Sequence, residues 1–454
     1  MNKKENYVEH PKYEDFMNNM VLKNIKGSTL RNYGFNYYDD LIVNEINPPQ
    51  KDITKPFQFQ PALLDYNDYV GRIAIGRIFN GKVKVGQMVK CLRLDGKEKI
   101  FRVQKLFGFT ALGRKEIEEC YAGDICAIAG LLDISVGETI TEINEYVRLP
   151  IIKIDEPTLQ MTFGVNTSPF SGNDGKLLTS RKIGERLEKE TQKDVSLRVE
   201  QIDSENFLVS GRGELHLSIL IENMRREGFE LQVSKPKIIE KEIDGVTCEP
   251  FEEVQIDVPD EYVGNVIESL GNREGIMENM TSTEGQTRLQ YIVPTRGLIG
   301  FMTDFMTMTK GYGIINHTFK DYRPKVSNLV GTRKNGVLVS MENGQATAYA
   351  LGGLEDRGVM FIEPGTEVYE GMIVGENNHE NDLAVNVVRG KNLTNTRSAG
   401  KDHTVVLKRP KQMSLEVCLD YINDDELVEV TPINYRMRKA ILNTSERKKF
   451  DSRK

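Results

Sequence analysis

Residues 211–228 read Gly211-Arg-Gly-Glu-Leu-His-Leu-Ser-Ile-Leu-Ile-Glu-Asn-Met-Arg-Arg-Glu-Gly228, and the spacing of the apolar side chains in this run predicts its local structure. Leu217, Leu220, Ile221 and Met224 recur three or four residues apart, which predicts an amphipathic helix over 214–226. The glycine at 228 is expected to end this helix, because glycine is common just past a helix C-terminus. The run is therefore predicted to be a tight turn followed by a helix.

Similar patterns continue on both sides of this helix. Leu159, Met161 and Phe163 alternate with polar residues, which predicts a strand, and a charged helix is predicted over 180–190. Further strands are predicted over 195–201, 206–210 and 229–233. The order β-α-β-β-α-β predicts a ferredoxin-like α/β sandwich for 154–240.

The same order of elements recurs once more, so 244–324 is predicted to be a second ferredoxin-like domain. Its pattern includes a strand over 251–258 and two helices, one over 262–273 and one near 298–309. The two segments share this architecture without an evident sequence repeat. Each is expected to form a separate core.

The segment before these two domains has a different rhythm. Short strand-like runs over 58–149 are separated by turn signals such as Asn80-Gly81 and Asp95-Gly96. Strands and turns at this spacing predict a small β-barrel. Residues 1–57 show no clear period and are interpreted as a divergent arm and linker.

The remainder, 325–454, is predicted to be a mixed, β-rich C-terminal domain. Helices are expected over 414–421 and 432–442, the second with Thr431 as N-cap and Pro432 at its first position. The fold class is therefore multidomain α+β: a small β-barrel, two ferredoxin-like sandwiches and this last domain.

Composition limits the classes of function. The 454 residues correspond to roughly three domains. The net charge of −7 argues against a protein that binds DNA through bulk charge. The sequence shows neither a membrane span nor a secretory signal. The five cysteines lack CxxC spacing, which indicates buried or free thiols of a reducing cytosol and predicts a cytoplasmic protein.

Several sequence runs approach known catalytic or binding motifs without completing them. Phe170-Ser-Gly-Asn-Asp-Gly-Lys-Leu177 resembles a phosphate loop, but Phe170 and Leu177 replace the required first glycine and the hydroxyl residue. Gly211-Arg-Gly213 opens a helix, but His216 occupies the third glycine position of a dinucleotide fingerprint. The histidines show no metal-ligand spacing. The residues therefore predict no catalytic site, no cofactor and no metal in this chain.

A basic segment does suggest a binding function. Residues 376–403 form a polar, Asn-rich and basic segment. From 389 onward a short stretch contains cations almost without acids, with Asp402 the exception: Arg389, Lys391, Arg397, Lys401, His403, Lys408, Arg409 and Lys411. Contact with RNA phosphates is the natural use of such a patch in an acidic protein. The alternative is a solvated loop without a partner, and these residues alone leave both open.

Arg296 is a second candidate for a phosphate contact. It lies in Thr295-Arg-Gly-Leu-Ile-Gly300, where glycines punctuate the start of a predicted helix. An exposed arginine there would meet a phosphate. The alternative is a packed helix between glycine turns.

Several strings resemble one family of translation factors. The run 211–228 is similar to the third domain of elongation-factor-G-like proteins. Three more strings resemble the TypA/BipA family in particular: Pro294-Thr-Arg-Gly-Leu-Ile-Gly-Phe301, Gly336-Val-Leu-Val-Ser-Met-Glu-Asn-Gly344 and Asn395-Thr-Arg-Ser-Ala399. The likeness runs from about Ile46 to the end of the sequence.

The resemblance implies a function that the residues alone do not give. The family consists of translational GTPases that bind the bacterial ribosome and are linked to large-subunit assembly and growth under stress. Its domain order is a G domain, a β-barrel, two ferredoxin-like domains and a family-specific C-terminal domain. In the family this last domain reaches toward the ribosomal A site and its transfer RNA, which favours the RNA interpretation of the basic segment. The implied partners are the ribosome and its RNA, with no membrane and no DNA, and the chain is expected to be a monomer.

The sequence departs from the family because the motifs of the G domain are not found. It contains no phosphate loop, no switch string and no guanine-reading NKxD; Asn2-Lys-Lys-Glu5 comes nearest. No residues of this sequence are therefore predicted to bind the GTP and Mg²⁺ of the intact family. Three hypotheses follow: a ribosome-binding body without its own GTPase domain, a GTPase restored in trans by a separate G domain, or an inactive truncated product.

Overall fold

The computed structural model describes residues 52–110, 113–152, 154, 156–325, 333–390 and 406–452. The chain divides into two compact units. The first contains the described residues through Gln60 with Gly76–Ile128 and Thr139–Leu149; the second contains Pro61–Ile75, Ala129–Glu138 and the chain from Pro150 onward. No helix within the described ranges is long and apolar enough to cross a lipid bilayer. Predictions for 1–51 lie outside these ranges.

Antiparallel strands make up the described part of residues 58–141. They are β1 (Gln58–Asn67), β2 (Gly71–Asn80), β3 (Lys82–Lys84), β4 (Met88–Leu92), β5 (Glu98–Arg102), β6 (Lys105–Thr110), β7 (Gly113–Ile117), β8 (Glu119–Tyr121), β9 (Ile125–Ala129) and β10 (Thr139–Thr141). The hydrogen-bonded order is β5-β4-β10-β1-β2-β9-β6-β7, with β3 and β8 as a separate ribbon. Among the described residues this order is an open path, so the predicted closed barrel is not confirmed.

Alternation and turn chemistry explain these strands. In β3 the buried Val83 lies between two exposed lysines, the period-two pattern of a strand with one face on a core. The predicted turn at Gly81 has a φ of 70°, and a Cβ there would lie 2.6 Å from the amide nitrogen of Phe57. Glycine meets both requirements, since it tolerates positive φ and has no Cβ.

From Leu159 onward the second unit shows the predicted β-α-β-β-α-β order. Its elements are β11 (Leu159–Gly164), α1 (Ser180–Lys193), β12 (Arg198–Gln201), β13 (Asn206–Gly211), α2 (Glu214–Arg226), β14 (Leu231–Ser234) and β15 (Lys237–Ile238). The strands are ordered β12-β13-β11-β14, and β15 also pairs with β11. Helix α2 has the bounds that its apolar stripe predicts, and Leu217, Leu220, Ile221 and Met224 are all buried.

The next segment repeats this arrangement. It contains β16 (Lys241–Ile243), β17 (Val246–Pro259), a 3₁₀ turn (Asp260–Tyr262), α3 (Val263–Gly271), β18 (Ile276–Thr283), β19 (Gln286–Pro294), α4 (Thr295–Leu298), α5 (Phe301–Met308) and β20 (Ile314–Pro324). The sheet is ordered β18-β19-β17-β20, with β16 also on β17. The helix predicted near 298–309 is instead divided between α4 and α5, because Gly300 has a φ of 70° and breaks the helical backbone.

The C-terminal segment supplies two small sheets and extends an earlier one. Its elements are β21 (Val337–Ser340), β22 (Gly344–Gln345), α6 (Ala348–Gly352), β23 (Gly358–Met360), β24 (Glu367–Val368), β25 (Ile373–Asn377), β26 (Leu383–Val385), α7 (Leu415–Tyr421), β27 (Glu426–Val430), β28 (Tyr435–Lys439) and α8 (Thr444–Asp451). Strands β23-β25-β21-β26 form one sheet, and β22 pairs with β24. Strand β27 pairs with β14, so the β27–β28 hairpin continues the sheet of residues 159–234.

The helix predicted over 432–442 is wrong. Residues 435–439 form β28, which pairs with β27 in register from Val430 opposite Tyr435. The predicted N-cap role of Thr431 is wrong as well: its Oγ1 accepts from the amide of Asn434 at 2.8 Å, but its own amide donates to the carbonyl of Asn434 at 3.0 Å, which closes a turn and does not start a helix. Thr431 and Pro432 therefore lie in a hairpin turn. Pairing with β27 outweighs the local preference of these two residues for a helix start.

One hydrophobic core joins the C-terminal segment to the first α/β segment. It combines side chains of β11 and α2, such as Phe163 and Ile221, with Leu419, Val428 and Val430 of the last hundred residues. Residues 254–305 pack around a separate core that includes Val254, Leu289 and Phe305. The first α/β segment and the residues after 325 therefore share one core, although the sequence separates them by the second α/β segment.

Replacing Ile221 by Ala tests the shared core. Ile221 is completely buried on α2, so we expect the variant to lose about 2–5 kcal/mol of unfolding free energy in urea denaturation followed by circular dichroism. Ile219 on the same helix is 51% exposed, and Ile219→Ala is the matched control. Equal stability losses in the two variants would contradict the assigned core face of α2.

Candidate RNA-binding surface

Both ends of the basic segment are anchored on the C-terminal core. Val387 is completely buried, and Val388 and Leu407 pack against the same cluster of buried side chains. Thr347 donates from its hydroxyl to the carbonyl of Arg389 at 2.7 Å, and the amide of Lys408 donates to Glu355 at 2.6 Å. The backbone on each side of the segment is therefore held in place.

Three predicted cations lie at these anchored ends. The side chains of Arg389, Lys408 and Arg409 are exposed, and none has an ion pair among the residues that the structure describes. Because exposed cations without carboxylate partners are available to a polyanion, the three can meet phosphate groups. Lys391, Arg397, Lys401 and His403 lie outside the described residues, and their assignment stays a prediction.

Arg296 has a different environment from these three cations. Its Nε lies 2.6 Å from a carboxylate oxygen of Glu249, and one of its terminal nitrogens lies 2.5 Å from Glu274. The side chain is only 12% exposed. The guanidinium is bound by these two acids, which lie 47 and 22 residues away in sequence. Its contact with RNA stays a prediction.

Other cations of the C-terminal segment also form ion pairs with acids of the protein itself. Arg333 makes a two-pronged ion pair with the buried Glu426, with both distances 2.9 Å. The ammonium of Lys439 lies 2.8 Å from Glu426 and 2.7 Å from Asp425, and it also contacts Asp382. These three acids lie close enough to suggest a metal cluster, but Lys439 already supplies the cation.

The loop with the incomplete phosphate motif binds an anion of the protein itself. The amides of Gly172 and Gly175 each donate to the buried carboxylate of Glu230, both at 3.0 Å. A Cβ at position 175 would lie 2.7 Å from the Cβ of Glu230, so the close approach requires glycine. Where a phosphate loop would hold a nucleotide, this loop holds a side chain.

A second buried carboxylate fastens the C-terminal hairpin to the same loop. Glu429 of β27 is completely buried and accepts from Asn166 at 2.9 Å, Ser168 at 3.0 Å and Arg436 at 2.9 Å. Tyr369 donates its hydroxyl to the other oxygen at 2.8 Å. Sequence reasoning missed this network because its partners lie up to 263 residues apart and none belongs to a motif.

Family models match most of the described chain. Residues 71–141 match elongation factor Tu domain 2, 177–235 match elongation factor G domain III, and 246–332 match the elongation factor G C-terminus. Residues 335–444 match the TypA/BipA C-terminal domain. This succession defines a β-rich multidomain protein of the elongation-factor-G-like class.

Curated relatives specify the family within that class. The chain is 59% identical over 417 residues to "Large ribosomal subunit assembly factor BipA" of Bacillus subtilis, covering 91% of this chain and 68% of that relative. It is 53% identical to the same-named protein of Synechocystis, covering 88% of this chain and 67% of that relative. Against the Escherichia coli K12 protein it is 50% identical, covering 90% of this chain and 68% of that relative. The chain belongs to the TypA/BipA family of translational GTPases, as its sequence motifs predict.

Replacing Glu426 by Gln tests the ionic network beneath the surface. Burial would raise the pKa of Glu426, but Arg333 and Lys439 outweigh it and hold the pKa below its ordinary 4.5. A lowered pKa stabilises the fold above pH 4.5, and this stabilisation is lost as the pH falls through the folded pKa. We expect the variant to be about 3 kcal/mol less stable at pH 7, because the substitution leaves buried cations without their full charge partner.

The pH dependence of the stability difference between wild type and Glu426→Gln tests whether the ion pairs cause it. Unfolding in urea should show wild type and Glu426→Gln converging in stability below pH 4.5, since wild-type Glu426 is then losing its charge. The exposed Glu363, replaced by Gln, is the control and should follow wild type at every pH. A difference that does not change with pH would rule out the ion pairs as its cause.

Proposed function

We propose that this chain is the ribosome-binding body of a TypA/BipA-type factor and acts in large ribosomal subunit assembly and stress-linked translation. The observation that carries the proposal is the exposed set of Arg389, Lys408 and Arg409 on anchored backbone at both ends of the basic segment. The name of the relatives, large ribosomal subunit assembly factor, supports the choice of partner.

Ribosomal RNA is the proposed ligand of this basic surface. Phosphate contacts position a protein on RNA and make its affinity depend on salt. The family resemblance of the segment extends the proposal to transfer RNA in the ribosomal A site. We further propose that the chain acts as a cytoplasmic monomer and makes no contact with membranes or DNA; light scattering after gel filtration tests the monomer.

We also propose finer architectural assignments for the domains. The match to elongation factor Tu domain 2 supports a small β-barrel for 58–149. The strand orders β12-β13-β11-β14 and β18-β19-β17-β20 support ferredoxin-like arrangements for 154–240 and 244–324. In both segments, pairing places the third and first strands at the centre. An experimental structure of the full chain tests all three assignments.

Removing the three anchored cations should weaken ribosome binding. We expect Arg389→Ala/Lys408→Ala/Arg409→Ala to bind purified ribosomes less tightly in cosedimentation over a salt series. Each lost phosphate contact lowers the slope of log affinity against log salt by about 0.7–0.9, so three contacts lower it by about 2. Stability should change by less than about 0.5 kcal/mol per exposed site.

A matched triple variant separates local contact from bulk charge. Lys82, Lys115 and Arg148 are exposed cations of the first unit, and replacing them by Ala changes the net charge equally. This control should keep the wild-type affinity and salt slope. If both triple variants lost the same affinity and slope, the basic segment would contribute only net charge, and the proposed surface would be wrong.

We propose that these 454 residues hold no guanine-nucleotide or Mg²⁺ site of their own. The support is the absence of the three sequence motifs and the occupation of the near-motif loop by Glu230. Calorimetric titration with GTP and GDP in the presence of Mg²⁺ should show no saturable heat. Saturable micromolar binding would overturn the proposal and would favour an intact GTPase activity.

A further inference from the structure

A cleft of about 410 Å³ lies within the second unit, lined by residues from α2, α4, α5, β20 and α7. Apolar side chains form much of its wall: Leu215, Leu298, Ile299, Met302 and Ile315. Leu215 and Met302 are 68% and 42% exposed, so both side chains are accessible to a ligand. The proposed RNA surface does not use any of these residues.

Two carboxyl groups meet in this cleft. Glu214, the first residue of α2, forms a side-chain hydrogen bond with Asp420 of α7. Burial, reinforced by Glu214, raises the pKa of Asp420 to about 9. At neutral pH the carboxyl group of Asp420 therefore keeps its proton. Oδ1 of Asp420 is a buried atom without a hydrogen-bond partner among the described residues.

Among the described residues, no cation forms an ion pair with Glu214 or Asp420. Most of the other charged groups that face the cleft or the pair are already matched: Arg273 with Asp304, His317 with Glu252, Lys241 with Glu156, and His216 with Asp194. Glu416 and Arg212, which also line the cleft, contribute one charge of each sign. Lys235 acts on Asp420 electrostatically but forms no ion pair with it among the described residues, so neither carboxyl group has a cation in direct contact.

Two buried hydroxyl groups are independent signs of a ligand. Ser218 and Thr295 line the cleft, and each is 2% exposed. Neither hydroxyl has a hydrogen-bond partner within the described part of the chain. Buried polar atoms of folded proteins are seldom left unpaired, and a hydroxyl oxygen accepts hydrogen bonds readily. A ligand with several N–H donors would satisfy them.

We propose that this cleft binds an organic ammonium ion, with the –NH₃⁺ group against Glu214 and Asp420 and the carbon chain along Leu215, Leu298 and Met302. An ammonium group has three donors, enough for both carboxylates and one of the hydroxyls. Hydrogen bonds between an ammonium and carboxylates are charge-assisted and strong. The ammonium replaces the proton of Asp420, which is released to solvent, so Asp420 is ionised in the complex.

Calorimetric titration of the full chain with hexylammonium chloride tests the site. Because binding releases one proton below the raised pKa of Asp420, affinity should rise about tenfold per pH unit between pH 6 and 8. The uncharged analogue 1-hexanol should show no saturable binding. Asp420→Asn keeps the shape of the side chain but cannot ionise, and it should weaken hexylammonium binding at least tenfold at pH 8.

Glu214→Gln is a second variant with the same expected loss, should Asp420→Asn fold poorly. Glu268 on α3 is exposed and outside the cleft, so Glu268→Gln should bind like wild type.

Titration with N-acetyl-lysine amide distinguishes the source of the ammonium group: tighter binding than hexylammonium indicates a lysine of a partner protein, and weaker binding indicates a free amine. No saturable binding, equal binding of 1-hexanol, or unchanged binding by both carboxyl variants would overturn the proposal. The outcome does not depend on ribosome binding.

Discussion

The buried carboxylate of Glu429 is the constraint on which the second unit depends. An ionised carboxylate inside a protein must be surrounded by donors, because burying an uncompensated charge costs far more free energy than a typical protein has to spare. Here the donors come from the loop after β11, from β28 and from Tyr369. The three elements therefore converge on one buried carboxylate.

This requirement explains why the C-terminal segment is not an appended module. The β27–β28 hairpin extends the sheet of the domain III-like segment, and both share one hydrophobic core. Glu230, one residue before β14, holds the same loop through the amides of Gly172 and Gly175. Backbone pairing, apolar burial and ion pairing therefore act at the same boundary, and the basic segment is carried on a fixed support.

The cations of the C-terminal segment fall into two groups, those buried in ion pairs and those exposed on the surface. Arg333, Arg436 and Lys439 neutralise buried acids and are nearly inaccessible to a partner. Arg389, Lys408 and Arg409 lie on the outside with only their backbones engaged. Helix α2 shows a similar division, since its apolar stripe faces the core while its first turn contributes Glu214 and Leu215 to the cleft.

The sequence by itself determined the elements whose residues carry a strong local period or cap. Helix α2 has the predicted bounds, and the family assignment follows from contiguous strings such as 336–344. Tertiary structure decided what depended on distant partners: the Thr431-Pro432 signal became a hairpin because β27 offered a pairing edge. Tertiary structure likewise decided the ion pairs of Arg296 with Glu249 and Glu274 and the contact between Glu214 and Asp420. Sequence spacing describes neighbours along the chain, whereas charge pairing and burial depend on which surfaces the fold brings together.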